Sequence, residues 1–239
     1  MEERAKPLVS AIVSAYKCAR FLRGCLDDLL AQTLGDRLEI VVVDSGSPEN
    51  ERAIVEEYRR LRPDIVYLRT EARETIYAAW NRGIKACRGA YVTNANADDR
   101  HRPDALAIMA GVLDEHPDVA LVWANMFLTA TENQTFQTAT PIGRSDWPAF
   151  DRRVLATYNF VGPQPMWRRA LHERYGWFDP AFEIAGDYEF WLRLAERETF
   201  RLIPEILGLY LLSPQTAERR DKPRALQETR EAKRRYRPR

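Results

Sequence analysis

The chain has 239 residues, 45% hydrophobic and 30% charged, a composition inside the globular band and far from collagen-like, low-complexity or disordered chains. At this length folding buries roughly three quarters of the surface that the unfolded chain exposes, so a core forms without disulfide or metal staples. The formal net charge of +1 conceals a split: residues 218–239 hold ten Lys/Arg against four Asp/Glu, and the rest holds 26 against 31.

Leu8 to Tyr16 is almost continuously apolar or small, the pattern of a strand buried on both faces. Phe21, Leu22, Cys25, Leu26, Leu29 and Leu30 then recur at helical spacing, with Gly35 beyond the last turn. Leu38 to Asp44 is a second buried strand. Ser47 before Pro48 predicts a capped helix start, Ile54, Val55, Tyr58 and Leu61 give that helix its stripe, and Pro63 ends it. Ile65–Arg69, Glu74–Cys87, Ala90–Asn94 and Pro103–Glu115 continue the strand and helix alternation. Such alternation is the signature of a parallel sheet with crossover helices, so the fold class is α/β.

Beyond a strand at Val119–Ala130, the stretch Thr131–Asp151 is polar and turn-rich, which predicts hairpins or a loop. An extended segment near Phe160–Trp167, a short helix Arg169–Tyr175, a helix Tyr188–Glu198 and a strand Phe200–Leu212 follow. A basic tail, expected to be helical from about Pro214, ends the chain. No linker separates independent units. The expected organisation is one domain over 1–217, with halves of about 1–117 and 118–217, plus the tail at 218–239.

The motifs exclude more than they name. The eleven glycines contain no GxG pair and no glycine loop leads into GK[ST], so dinucleotide-binding and P-loop readings fail. HExxH, GxSxG and kinase signatures are absent too. Cys18, Cys25 and Cys87 form no CxxC pair and have no histidine at ligand spacing, which argues against a disulfide framework or zinc site and suits a reducing compartment. Met1–Pro7 lacks an apolar signal region, and no stretch approaches the roughly 20 apolar residues of a membrane span. A cytoplasmic location is the expectation. The arginines are scattered, so no nucleic-acid partner is expected, and the tail is read as a solvated helix, with peripheral contact to the inner face of a membrane as the alternative.

Positive signals sit at strand ends, where open parallel sheets bind ligands. Strand two runs into Asp44, Ser45, Gly46 and Ser47, and strand four into Asn96, Ala97, Asp98 and Asp99. Adjacent acids repel unless a cation lies between them, and a divalent ion holding a diphosphate supplies that charge. The plainer reading makes Asp98 and Asp99 helix caps.

The ordered pieces VSAIVSAY, LLAQT, EIVVVDSGS, NRGIKACRGAYVTNANADD and GDYEFWLRLA together resemble an inverting family 2 glycosyltransferase, over Leu8 to about Leu212. The resemblance implies a GT-A fold: a Rossmann-like, mostly parallel sheet flanked by helices, with a mixed acceptor-side half. It implies that Ser14 and Tyr16 line the base pocket with Ser45 beside them, that Asp44 reads a uracil edge, and that Arg73 lies near the nucleotide. Asp98 and Asp99 fall at the DXD position, where Asp98 contacts ribose or metal and the pair holds Mg²⁺ or Mn²⁺. Asp187, ahead of an apolar helix, is the implied general base, and its alternative is an ordinary N-cap. The chain departs from the common pattern in VDSGS for VDDGS and in Asn96 for a leading acid.

The implied donor is a nucleotide-diphosphate sugar, with uridine as the base of choice, and the acceptor is an unspecified glycan, lipid-linked or protein hydroxyl. A non-catalytic nucleotide-sugar-binding module is the main alternative. A sugar nucleotidyltransferase is weaker, because Ser14–Arg20 contains no glycine for a triphosphate loop. His101 is read as a solvated loop residue, and Trp167 as packing with an acceptor wall as its second reading.

Overall fold

The computed structural model describes residues 6–214 and 217–236. At its centre β1 (Val9–Ala15) and β2 (Leu38–Asp44) pair in parallel, from Val9 against Leu38 to Ala15 against Asp44. Both are buried along nearly their whole length, which is why they read as unbroken apolar runs rather than alternating ones. β3 (Val66–Arg69) adds in parallel outside β2, and β4 (Tyr91–Asn94) in parallel on the other side of β1.

Beyond β4 the sheet changes character. β8 (Met166–Arg168) pairs antiparallel with both β4 and β6 (Val119–Thr129). The long β9 (Thr199–Leu211) runs parallel to β6 with three register shifts, and β5 (Arg100–His101) closes the far edge against β9. The order is β3-β2-β1-β4-β8-β6-β9-β5, with β7 (Gly143–Arg144) paired to β6 as the hairpin expected within Thr131–Asp151.

Helices cover both faces. α1 (Ala19–Leu30), α2 (Glu51–Leu61) and α4 (Ala105–Glu115) bury Leu22, Leu26, Ile54, Val55, Leu106 and Met109 against one side of β1 and β2. α3 (Ile76–Ala86) packs on the other side. It shares that face with the short α5 (Arg152–Leu155) and α6 (Leu171–Tyr175) and with α7 (Gly186–Leu194). There the core is aromatic: Trp167, Phe178, Phe190 and Trp191 pack ring against ring at 4.7–5.9 Å. Trp167 is fully buried among them, so its packing reading holds and an acceptor-wall role does not.

Helix two begins at Glu51, not at Ser47–Pro48. Ser47 is drawn into another job: its N–H donates to Asp44 at 2.8 Å and its hydroxyl accepts from the Lys17 N–H at 3.0 Å. The tail forms α8 (Ala217–Arg220) and α9 (Lys222–Arg235), while Gln215, Thr216 and residues 237–239 of the expected tail helix lie outside the described residues. Among the described residues no helix is long and apolar enough to cross a membrane.

Candidate functional site

The carboxyl ends of β1, β2 and β3 stand abreast, with Ala15, Asp44 and Arg69 in register. Asp44 is wholly buried there. One oxygen accepts the Ser47 N–H, and the other takes the Tyr67 hydroxyl at 2.6 Å and the Arg69 guanidinium. These bonds tie the loop after β2 and the end of β3 to the Asp44 carboxylate. Ser45 is buried beside it, its N–H bonded to the Ala15 carbonyl at 3.0 Å. What stays open at this corner is Ser14 and Tyr16, both half-buried.

Gly46 explains how Arg73 reaches them. With φ +64° it adopts a left-handed turn, and a Cβ there would stand 2.9 Å from the Glu71 carbonyl oxygen. Glycine thus lets the loop that follows β3 pass close, anchored by the Thr70 N–H on the Asp44 carbonyl at 2.9 Å. That loop sets the Arg73 guanidinium 4.6 Å above the Tyr16 ring. Tyr16 and Arg73, far apart in sequence, form one stacked pair at the rim.

The second group follows β4. Asp99 is buried, accepting the Leu211 N–H at 3.1 Å and the Asn96 side-chain amide at 2.9 Å. Burial first, and the charge of Asp98 second, push its carboxyl up to about 8. Asp98 is half-buried, and burial raises its carboxyl too. Among the described residues no side chain hydrogen-bonds Asp98. Arg100 lies beneath, donating to the Ala97 and Asp99 carbonyls at 2.8 and 2.6 Å, in a space that exists because residue 24 is glycine. Neither aspartate caps α4, whose cap position is Asp104. His101 is not a solvated loop residue: it is buried on β5, and its Nδ1 and backbone N–H both meet Asp28, at 3.0 and 2.8 Å.

A divalent ion fits this corner in a limited way. Among the described residues no three His, Cys, Asp or Glu side chains gather into a cage. Hard oxygen donors on one or two carboxylates, with further ligands from a diphosphate, are how Mg²⁺ is ordinarily held. Asp98, half-buried, offers that donor, with the buried Asp99 next to it.

Asp187 occupies the first turn of α7. Its carboxylate accepts the Tyr77 hydroxyl at 3.0 Å and the Asn159 amide at 3.4 Å. Gly186 before it is required by packing, since a Cβ would stand 2.7 Å from the Tyr77 ring. Hydrogen bonds at either end of the segment 159–163 tie it to Asp187 and to the neighbour of Asp99. The Asn159 side chain accepts the Val161 N–H at 3.2 Å, and the Pro163 carbonyl accepts from Asn94 at 2.7 Å and from Asn96 at 3.2 Å. Asn159 and Pro163 are four residues apart, a span of at most about 14 Å. The segment 159–163 thus touches Asp187 at one end and, through Asn96, Asp99 at the other.

Sequence reasoning missed Tyr77, Asn159, Asn94 and the Tyr67–Arg69 pair. Tyr77 falls on the apolar stripe of a helix and carries no signal beyond core; Asn94 ends β4 and Asn159 lies in a loop, and only the fold reveals their partners.

The profile of Glycosyl transferase family 2 matches residues 10–176. The chain belongs to glycosyl transferase family 2. Chondroitin synthase of Escherichia coli is 26% identical over 200 residues, which cover 84% of this chain and 28% of that protein. This chain thus spans little more than a quarter of that synthase. Two solved structures share the fold: S. aureus TarS 1-349 in complex with UDP-GlcNAc, and mannosyltransferase PcManGT from Pyrobaculum calidifontis in complex with GDP-Man and Mn²⁺. The first has a TM-score of 0.70 at 19% identity, covering 86% of this chain and 59% of that one. The second has a TM-score of 0.68 at 19% identity, covering 95% and 61%. As a family 2 glycosyltransferase the chain carries the α/β architecture of GT-A enzymes. The family match spans Tyr16, Asp44, Arg73, Asp98 and Asp99 and ends before Asp187.

Proposed function

We propose that this chain transfers a sugar from a nucleotide-diphosphate sugar to an acceptor hydroxyl by direct displacement with inversion. The observation that supports the reading is that the segment 159–163 meets Asp187 through Asn159 and, through the Pro163 carbonyl, Asn96, the partner of Asp99. The acceptor oxygen attacks the anomeric carbon, Asp187 takes its proton, and the bond to the diphosphate breaks with the electron pair leaving on the nucleotide. Tyr77 and Asn159 hold the Asp187 carboxylate in place.

On the donor side Ser14 and Tyr16 form the floor for the base, and Arg73 stands at its edge. Asp98, backed by Asp99, would hold Mg²⁺ or Mn²⁺, whose positive charge favours departure of the diphosphate when it is bound. Uridine is the base we favour, with guanosine as the competing donor class. The acceptor is a glycan, lipid-linked or protein hydroxyl, and the nucleotide-binding half, acceptor-side half and tail divide the chain near residues 117 and 217.

The test is nucleotide release from UDP-GlcNAc, UDP-glucose and GDP-mannose with Mn²⁺, for the wild type and Asp187→Asn. Loss of the base is expected to slow release about a hundredfold or more while nucleotide binding persists. Unchanged turnover in the variant sinks the assignment. Binding of UDP by the wild type with no release from any donor would favour the non-catalytic module instead.

A further inference from the structure

α9 lies across α7 and reaches the site by two grips. Glu228 accepts the backbone N–H groups of Glu183 at 3.0 and 3.1 Å, Ile184 at 2.8 Å and Ala185 at 2.9 Å. These three amides immediately precede the first turn of α7, where Asp187 stands. These amides, at and just before the N-cap Ala185, have no acceptor within the helix and leave a place for one from elsewhere. A carboxylate from more than forty residues away takes that place and also sets negative charge at the positive end of the helix. Arg224 fixes Glu228 at 3.0 Å and pairs with Glu183 at 2.8 Å. Burial alone would raise the Glu228 carboxyl, but the three amides and Arg224 outweigh it and hold it below the usual carboxylate value.

The second grip is Lys233, whose ammonium donates to the Thr157 carbonyl. Two residues on, Asn159 donates to Asp187. Tyr236 to Glu189 at 2.7 Å and Arg235 to Asp179 at 2.8 Å fasten the end of the helix. Burial does not explain why this helix docks. Ala232 is its one buried residue, and its only leucine, Leu226, is 52% exposed. What the helix offers α7 is polar contact to the two segments that flank Asp187.

We propose that α9 is a built-in clamp on the base, in which Glu228 is a positioning residue that sets Asp187 through the 183–185 amides while Lys233 steadies the arm carrying Asn159. The proposal rests on the reading of Asp187 as the base. Glu228→Gln removes the charge and sets an NH₂ against N–H donors at one of the two oxygen positions, which weakens the first grip with little change of shape; Glu228→Asp keeps the charge, and Lys233→Met breaks the second grip.

The full chain is compared in these variants by nucleotide release with Mn²⁺, by UDP binding, and by hydrogen exchange. In Glu228→Gln the amides of 183–185 are expected to exchange about tenfold faster. Its kcat should fall about tenfold to a hundredfold, as displacement of a catalytic group predicts, with KM for the donor and UDP affinity unchanged. Glu228→Asp restores part of the rate, and Lys233→Met shows the same pattern more weakly. Placed on Asp187→Asn, Glu228→Gln should lower the residual rate no further, because the group it positions is gone.

Wild-type kcat in both Glu228→Gln and Lys233→Met beside an impaired Asp187→Asn overturns the clamp while leaving the base intact. An equal further loss on Asp187→Asn, or parallel loss of UDP affinity, shows a merely structural helix and also overturns it. Wild-type turnover in Asp187→Asn removes the base itself and the positioning role with it.

Discussion

Asp44 and Asp187 are held by different means. Asp44 ends a central strand; parallel register sets Ala15 and Arg69 beside it, and Ser47, Tyr67 and Arg69 bond its carboxylate. Asp187 belongs to no strand. Its position depends on a tyrosine from α3, an asparagine from the loop before β8, and the backbone amides that α9 grips. Where the main chain positions a group, neighbouring side chains are free to vary at small cost. Where side chains position it, each of them becomes a place to lose activity without losing the fold.

The acidic pair allows the sharpest break of that comparison, because Asp98 is half-buried and open while Asp99 is spent on Leu211 and Asn96. Asp98→Asn is expected to slow metal-dependent nucleotide release by about a hundredfold or more, with the thermal midpoint nearly unchanged. Asp99→Asn replaces a carboxyl that, at about 8, carries its proton at neutral pH in the free protein. Its stability cost without metal should stay within about 1 kcal/mol, since an amide of the same shape can keep the Leu211 bond. Equal catalytic losses in the two variants would erase the distinction between an open and a structural acid.

The aromatic core around α7 gives the next largest effect. His172 Nε2 accepts from the Trp167 indole at 2.9 Å, and its Nδ1 lies 3.1 Å from the Gly176 carbonyl, so the ring fits as the neutral Nδ1–H form. Burial lowers it to about 4. The unfolded chain therefore binds this proton from about pH 6.5 downward and the folded chain only from about 4, so stability falls with pH across that window and levels off below it. The loss amounts to about 3 kcal/mol. An NMR titration of the His172 ring checks it, and an ordinary midpoint near 6.5 would show that the ring is not sealed in this core.

The donor half was legible because its physics is periodic. Runs such as Val41–Val43 and stripes such as Phe21 to Leu30 declare strands and helices within a few residues of where they fall, and the acids at the strand ends lie where the topology puts ligands. Other features had no local signal. Ser47 looked like a helix cap because its competing bond to Asp44 depends on a turn that Gly46 makes possible. His101 looked solvated because Asp28, its partner, is 73 residues away. Asp187 is singled out by motif alone, and nothing in the basic tail announces that Glu228 ends on the amides before it.

Gly186 tests side-chain positioning at smaller scale. Adding a methyl in Gly186→Ala forces a Cβ to within 2.7 Å of the Tyr77 ring, so the ring or the start of α7 has to move. Overpacking of this kind costs about 1–3 kcal/mol. The expected signature is a lowered kcat with unchanged UDP affinity, because the disturbance lies between α3 and α7 and leaves Tyr16 and Arg73 alone. A variant that loses stability yet keeps its full kcat would show that Asp187 tolerates movement of its tyrosine partner.

The smallest effect concerns the stacked pair at the donor corner. Arg73 stands 4.6 Å over the Tyr16 ring in the free protein, on a face that the proposed base would need. An exposed cation–π contact is worth about 0.5–1 kcal/mol, and uncovering the ring costs that much. Uridine, which carries no phosphate for the guanidinium to meet, should therefore bind Arg73→Ala about two- to fivefold more tightly than the wild type. UDP brings a diphosphate that a released Arg73 can attract, so for UDP the gain should shrink or reverse, and added salt should restore it by screening that attraction. Weaker uridine binding by Arg73→Ala would mean that the guanidinium completes the base site rather than covering it. In that case the donor corner, like the base, would be built by a side chain brought from elsewhere, and the contrast between the two halves would narrow to the strands themselves.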